Sequence, residues 1–368
     1  MLGIYIHIPF CLKRCGYCDF CSSIASEGRI AEYTDAMVRN IRTYAGRGLS
    51  ADTVYLGGGT PSLLTGEQMS AILSAVKESF DISPDAEITT EANPCTVTYE
   101  KLCAYREAGI NRISFGVQSC KDNELYRLGR LHTFERAVEA VETAKRAGIN
   151  NISCDLMIGI PEQTLDTLAE SIESLCSLEI KHISAYMLKI EEGTPFDCDA
   201  IRSSVPDDDT VSDMYMMTAK MLMQRGFEQY EISNFSKPGY ESRHNLKYWT
   251  GEPYIGFGPS AHSYFEDKRF YVPEDIDGYI SSALQKINIE ENCPDRLSEY
   301  IMLGLRLCKG ISLDTVVELG GDSCALVKAC EPLERAGLLS VNDGRMSLTL
   351  KGFLVSNGVI SRALDSQF

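Results

Sequence analysis

The sequence is short of positive charge, of tryptophan and of long apolar runs. Against 52 Asp and Glu it sets only 35 Lys and Arg, a formal net charge of −17, and no Lys/Arg-rich stripe with interleaved aromatics interrupts that deficit. Such a chain repels a phosphate backbone, so nucleic acid is not an expected partner. No run of about 18 apolar residues occurs, which excludes an integral membrane helix on the usual length criterion but leaves transient contact with a membrane surface open. The start, MLGIYIHIPF, lacks the basic first residues and small-residue cleavage site of a signal peptide. A cytoplasmic protein is expected. Low-complexity tracts are absent, and with them any expectation of long disorder.

Cysteine is not scarce: there are 14. In an untargeted chain of 368 residues they point to reduced thiols and metal ligation, because disulfide frameworks belong to small secreted domains.

Apolar, β-rich runs at residues 3–8, 53–56, 87–90, 112–115, 152–158 and 182–188 alternate with helical patterns at 29–44, 66–80, 99–108, 133–147 and 165–178, where apolar residues recur at i, i+3 and i+4. Strand and helix in repeated alternation imply a parallel sheet with right-handed crossovers. Six units are too few for a closed eight-stranded barrel. The expected fold is α/β, a partial (β/α)6 barrel spanning residues 1–205, with its chemistry at the C-terminal strand ends; periodicity alone leaves a flat doubly wound sheet open.

A helix at 211–224 and a Gly/Pro/aromatic-rich irregular stretch at 227–265 mark a substrate-binding extension over 206–290. Within that helix Met214, Met216, Met217, Met221 and Met223 read as packing. Residues 291–368 read as a small domain of three short helices, a hairpin turning at Asp343-Gly344 and a short tail, a winged-helix outline expected to serve packing.

The segment CLKRCGYCDFC puts Cys11, Cys15 and Cys18 on one loop straight after the first strand. Thiolates suit zinc and iron–sulfur clusters alike. Structural zinc takes four ligands, commonly from two separated C-x2-C pairs, and no second separate pair exists downstream. Three cysteines holding a [4Fe-4S] cluster leave one iron without a protein ligand, open to the amino and carboxylate groups of S-adenosylmethionine (SAM). C-x3-C-x2-C in this place is the radical SAM signature. Cys21 reads as a spare thiol, with a fourth-ligand role left open.

Joined to GGGTPS (57–62), EANP (91–94), SFGVQS (114–119), LGRLHT (128–133), DLMIGIPEQT (155–164), YEISNF (230–235) and HNLKYW (244–249), the cluster loop makes the chain resemble the oxygen-independent coproporphyrinogen III oxidase family from residue 3 to about 360. Within it the resemblance is strongest to a haem chaperone branch. The resemblance implies that Gly58, Gly59 and Thr60 lie against the methionine end of SAM, and that Glu91, Gln118, Arg130 and Asp155 supply polar SAM contacts in a cavity lined by Tyr5 and Tyr17. Buried carboxylates are costly unless paired, so Glu91 and Asp155 need a ligand or a cation such as Arg130. Ordinary structural salt bridging remains the competing account of that trio.

Two departures separate this chain from the oxidases. Phe20 stands where they carry a fourth cysteine, and their long N-terminal extension has no counterpart before Cys11. HNLKYW matches an H-N-x-x-Y-W element associated with haem in the chaperones, which implies His244, Asn245, Tyr248 and Trp249 as haem contacts with His244 as candidate iron ligand. A hydrogen-bonded structural histidine competes with that reading. His7, His132, His182 and His262 are assigned no haem role. The expected function is a chaperone that binds cluster, SAM and haem and passes haem to haem-requiring proteins such as respiratory enzymes. The alternatives are a coproporphyrinogen III oxidase that decarboxylates propionates to vinyls, or another radical transformation of a tetrapyrrole. The electron donor and the oligomeric state, a homodimer included, are left open.

Overall fold

Why the first half forms crossovers is visible at the helix starts. The helices Glu27–Arg42, Gly66–Ser79, Tyr99–Ala108, Phe134–Arg146 and Leu165–Ser177 are each preceded by a Ser or Thr (Ser26, Thr65, Thr98, Thr133, Thr164) whose hydroxyl accepts a backbone N–H three residues on. Each also carries an acidic residue in its first turn. Caps and charge satisfy the orphan amides of the helix N-terminus and oppose its positive dipole end.

The computed structural model describes residues 1–367. Between those helices run β1 (Leu2–Ile8), β2 (Ser50–Gly58), β3 (Asp81–Ala92), β4 (Arg112–Gln118), β5 (Asn151–Ile158) and β6 (His182–Met187). Later come β7 (Glu228–Gln229), β8 (Asn234–Ser236), β9 (Tyr254–Phe257), β10 (His262–Phe265), β11 (Lys268–Tyr271) and β12 (Asn288–Asn292). All twelve join one sheet in the order β12-β11-β10-β9-β1-β2-β3-β4-β5-β6-β8-β7. The stretch 227–265, expected to be irregular, therefore supplies four strands. One of them, β9, lies parallel to β1 and adds a seventh member to the parallel core. Its four residues between Pro253 and Gly258 are too few for a periodicity to show.

Alternation sets the two faces of the barrel wall. Ile4, Ile6, Ile8, Val54, Leu56, Ile113, Phe115, Leu156, Ile158 and Ile183 are buried in the apolar core that the helices share. The intervening positions turn inward, and most of them are polar or glycine. Paired across neighbouring strands, they stack in layers: Gly3 with Thr53 and Glu87, Tyr5 with Tyr55 and Thr89, Glu91 with Ser114 and Ser153. Since the side-chain period of a strand is two, a one-residue slip would swap this polar set with the apolar one, so the register is strongly fixed.

The N-terminal end of the barrel is closed by the helix Arg243–Thr250. Its first two amides, of Arg243 and His244, donate to the Glu87 carboxylate at 3.2 and 3.1 Å. The His244 ring lies between Thr53 Oγ1 on Nδ1 and Tyr248 Oη on Nε2, each at 2.8 Å, and stacks on Tyr55 at 5.2 Å between centroids. Lys247, almost fully buried, ties the same helix to Asp52 at 2.9 Å and Glu252 at 2.7 Å.

The C-terminal helices Arg296–Gly304, Leu313–Glu318 and Ser323–Arg335 precede a hairpin, β14 (Leu339–Asn342) and β15 (Arg345–Leu348), with β13 (Ile311–Ser312) as third strand. Asp343 and Gly344 have φ of 49° and 72°, the left-handed pair that a tight hairpin turn requires. The segment read as a tail is helical, Leu350–Leu354 and Ser356–Asp365. Among the described residues no helix is long and apolar enough to cross a membrane.

Glu87→Ala removes the acceptor of two helix-start amides and should cost about 1–3 kcal/mol. Urea denaturation of the variant checks this, and an unchanged midpoint would show that the closing helix does not depend on Glu87.

Candidate cluster and SAM site

The loop after β1 carries Cys11, Cys15 and Cys18 to the C-terminal rim of the barrel, all three thiols free and partly accessible. The loop is fastened at its base, where Cys11 and Ser23 amides donate to Ser23 and Pro9 carbonyls at 2.9 and 2.8 Å. Two donors are aimed at its sulfurs. Thr60 Oγ1 is 3.4 Å from Cys11 Sγ and Arg130 Nη1 is 3.5 Å from Cys15 Sγ. Hydrogen bonds to thiolate sulfur are among the means by which a protein sets the potential of an iron–sulfur cluster. No three Cys, His, Asp or Glu among the described residues converge on a single ion. A cubane asks for something else, thiolates spread so that each reaches a different iron, and three on one open loop meet that demand.

Gly58, the last residue of β2, and Gly59 and Thr60 after it lie directly against this loop. Gly59 N donates to Ile8 O at 2.9 Å, Thr60 N to Phe10 O at 2.7 Å and Gly58 N to Glu91 Oε2 at 3.2 Å. All three amides are thus committed within the protein, so a ligand would meet this turn through its other surfaces. Glycine is required here for close chain approach: a Cβ on Gly59 would stand 2.7 Å from Phe10 O, and one on Gly58, at φ 108°, would stand 2.5 Å from His7 Cε1.

Inside the lumen lie Glu91 and Asp155. Glu91 accepts from Tyr55 Oη at 2.8 Å as well as from Gly58 N, and Asp155 Oδ1 accepts from Ser114 Oγ at 3.1 Å. Neither carboxylate forms an ion pair among the described residues. Burial pushes Glu91 up to about 7 and Asp155 up to about 6, only partly opposed by these neutral donors and by the charge of Arg112. Arg130, named from the sequence as a candidate cation for this pair, bonds Gly116 O and Cys15 Sγ and forms no ion pair with either carboxylate, although its charge also favours the ionised form of Asp155.

Gln118 sits past a register shift in β4 with φ 73°, and its Oε1 is buried without a partner. A bulge that re-aims a polar side chain into a lumen is a common device beside functional sites. Tyr5 Oη donates to His7 Nδ1 at 3.1 Å, the ring's Nε2 donating to Cys21 O, and Tyr5 stacks on Tyr55 at 6.2 Å. Tyr17 meets Phe196 edge-on at 6.0 Å, above the same lumen.

The haem quartet is divided by the structure. His244 and Tyr248 are in the barrel floor, His244 1% exposed with both ring nitrogens engaged and its basicity lowered by burial to about 3. Asn245 is half-buried in the first turn of the floor helix, its amide 3.4 Å from Ser242 Oγ. Trp249 faces away from the floor into a surface groove of about 550 Å³, shared with Tyr264, Phe265, Tyr300, Leu303 and Arg296. As arranged, His244 offers iron no free nitrogen. Ligation would require the floor to open.

The sequence profile of the Radical SAM superfamily matches residues 5–175, and that of the HemN C-terminal domain matches residues 294–355. The haem chaperone HemW of Bacillus subtilis (strain 168) is 36% identical over 99% of both chains. That of Escherichia coli (strain K12) is 40% identical over 71% of this chain and 69% of its own. The chain belongs to the HemW haem chaperone family. Its fold is also that of coproporphyrinogen III oxidase (HemN) from Escherichia coli, with TM-score 0.83 and 21% identity over 98% of this chain and 89% of that one. At that identity the likeness bears on fold alone. Membership in the radical SAM superfamily implies a [4Fe-4S] cluster and SAM.

Sequence reading missed Tyr55, Glu87 and Arg112 in the lumen. Their signal was available as period-two polar positions inside apolar strands, Glu87 and Glu91 on β3 and Arg112 and Ser114 on β4.

Cys15→Ala should abolish iron and sulfide incorporation while changing stability by less than about 0.5 kcal/mol, since Cys15 lies on a rim loop outside the core. A variant with full iron content would move the ligand elsewhere. The raised carboxylates give a second expectation. The unfolded chain releases these protons near pH 4 and the folded one only near pH 6–7, so the pair lowers stability as pH rises through that window and the penalty is complete above it. Glu91→Gln should therefore stabilise the ligand-free protein at pH 8 by roughly 1–3 kcal/mol and do little at pH 5, measured by urea denaturation; equal effects at both pH values would contradict the assignment.

Proposed function

We propose that this protein holds a [4Fe-4S] cluster through Cys11, Cys15 and Cys18, binds SAM in the lumen beneath it, binds haem, and delivers haem to haem-requiring proteins such as respiratory enzymes. The observation that carries the SAM reading is the pair of lumenal carboxylates without a cationic partner, Glu91 and Asp155, directly below a three-thiol loop. An uncompensated buried carboxylate calls for a cationic ligand, and SAM brings a sulfonium, with N–H donors on its amino group. When bound, the cluster and SAM supply one-electron chemistry at the sulfonium. The protein's part is to exclude water, to present Thr60 and Arg130 to the sulfurs and to offer Gln118 Oε1 an acceptor role.

The haem reading rests on the HemW relatives. Geometry favours Trp249 over His244 as a haem contact, because Trp249 lines an open aromatic groove where a flat ligand would fit, although Arg296 in that groove is already paired with Asp267. Arg306 lies 5.9 Å over the Trp249 ring.

An anaerobic haem titration of reconstituted wild type, Trp249→Ala and His244→Ala, with coproporphyrinogen III and SAM in a parallel incubation, tests this. Expected are stoichiometric haem binding, at least tenfold weaker in Trp249→Ala, no protoporphyrinogen, and a His244→Ala protein whose main loss is stability. Catalytic protoporphyrinogen formation would replace the chaperone reading with that of an oxidase, and absence of haem binding would remove it.

A further inference from the structure

Arg112 is 2% exposed and among the largest fully buried side chains of the chain. It forms no ion pair among the described residues, and its Nε has no hydrogen-bond partner. An isolated buried guanidinium is too costly to be kept for stability, and apolar replacement of buried ionic groups is often neutral or favourable. Its place in the register says what it serves. On β4 it pairs with Thr89 and Asn151, two residues before Ser114, which pairs with Glu91 and bonds Asp155. The cation thus lies on the lumenal face, one layer nearer the floor than Glu91 and two nearer than Asp155.

We propose that Arg112 is a positioning residue of the SAM site, a fixed cation beneath Glu91 and Asp155 that favours the ionised form of both and so readies them for a cationic ligand. The proposal rests on the SAM reading above and goes beyond it. The arrangement solves a charge problem: two carboxylates sharing a low-dielectric lumen repel each other, and a cation too far away to form a salt bridge lowers that cost without occupying the oxygens that the ligand needs.

Of the other groups facing this space, only Arg130 shares the role, and it does so at Asp155 but not at Glu91. From β1 come Tyr5 and His7, from β2 Tyr55, from β3 Glu87, from β6 His182 and Tyr186, from the β7–β8 turn Tyr230, and from the floor helix His244 and Tyr248. Burial holds the tyrosines above their ordinary range and the three histidines below theirs, all uncharged near neutrality. Glu87 is bonded to the floor helix. Arg130 is a second fixed cation, engaged by Cys15 and Gly116.

The test is equilibrium binding of SAM to cluster-reconstituted protein, without reductant, from pH 5.5 to 9, for wild type, Arg112→Met and Arg112→Lys. Wild type should gain affinity as pH rises through about 6 to 7. Arg112→Met should displace that rise upward by about one pH unit, a loss of about tenfold at pH 7 that closes by pH 9, with thermal stability equal to or above wild type. Arg112→Lys, whose shorter charge stops farther from the carboxylates, should give a smaller displacement in the same direction. A rise unmoved in both variants, or an affinity loss equal at every pH, overturns the proposal. Should Arg112→Met not fold, the displacement in Arg112→Lys decides alone, and its absence overturns the proposal equally. Wild type that binds no SAM at any pH would instead overturn the SAM reading, which keeps the two failures distinct.

Discussion

A parallel sheet with apolar residues on one face and polar residues on the other can be stable only if the polar face encloses something or is closed against itself. That constraint governs this molecule. Ile4, Ile6 and Ile8 turn out under the helices, so Tyr5 and His7 must turn in, and the same parity carries through β2 to β6. A lumen lined with Glu87, Glu91, Arg112, Asp155 and His182 follows from the apolar core around it, because the pleat allows no other assignment.

The two ends of that lumen are treated differently. At the floor, the closing helix is held by hydrogen bonds. Glu87 takes the amides of an incoming helix, and His244 spends both nitrogens on Thr53 and Tyr248. At the rim, needs are left open: Gln118 Oε1 is unpaired, Glu91 and Asp155 have neutral donors only, and three thiols stand on an accessible loop. Buried polar groups are normally satisfied, and where they are not a ligand is the usual reason. The contrast separates scaffold from site within a single barrel.

Arg112 stands between the two ends. Above it the carboxylates are pushed toward neutrality by burial; His182, level with Glu91, and His244 in the floor are held uncharged, in part by its positive charge. One cation thus biases the lumen in both directions, toward anionic carboxylates and toward neutral imidazoles. It can do so without contact because charges interact strongly over several ångströms in a medium of low polarity.

The cluster loop, the glycine turn and the order of six strands and five helices were all legible in the sequence, because each is written in local chemistry: cysteine spacing, glycine where chains approach, Thr and Ser caps, and periods of 2 and 3.6. So was the hairpin at Asp343-Gly344. What tertiary structure alone decided concerns partners distant in the chain. Residues 243–250 carry a motif that by itself points to a ligand, yet packing puts His244 191 residues away from its partner Thr53 and buries it in the floor, while Trp249, five residues on, faces the outer groove. Strand β9 is too short to announce itself and exists because β1 has a free edge to pair with. A single sequence records which side chains can bond. Which of them actually meet, and which are left waiting for a ligand, is decided by register and burial.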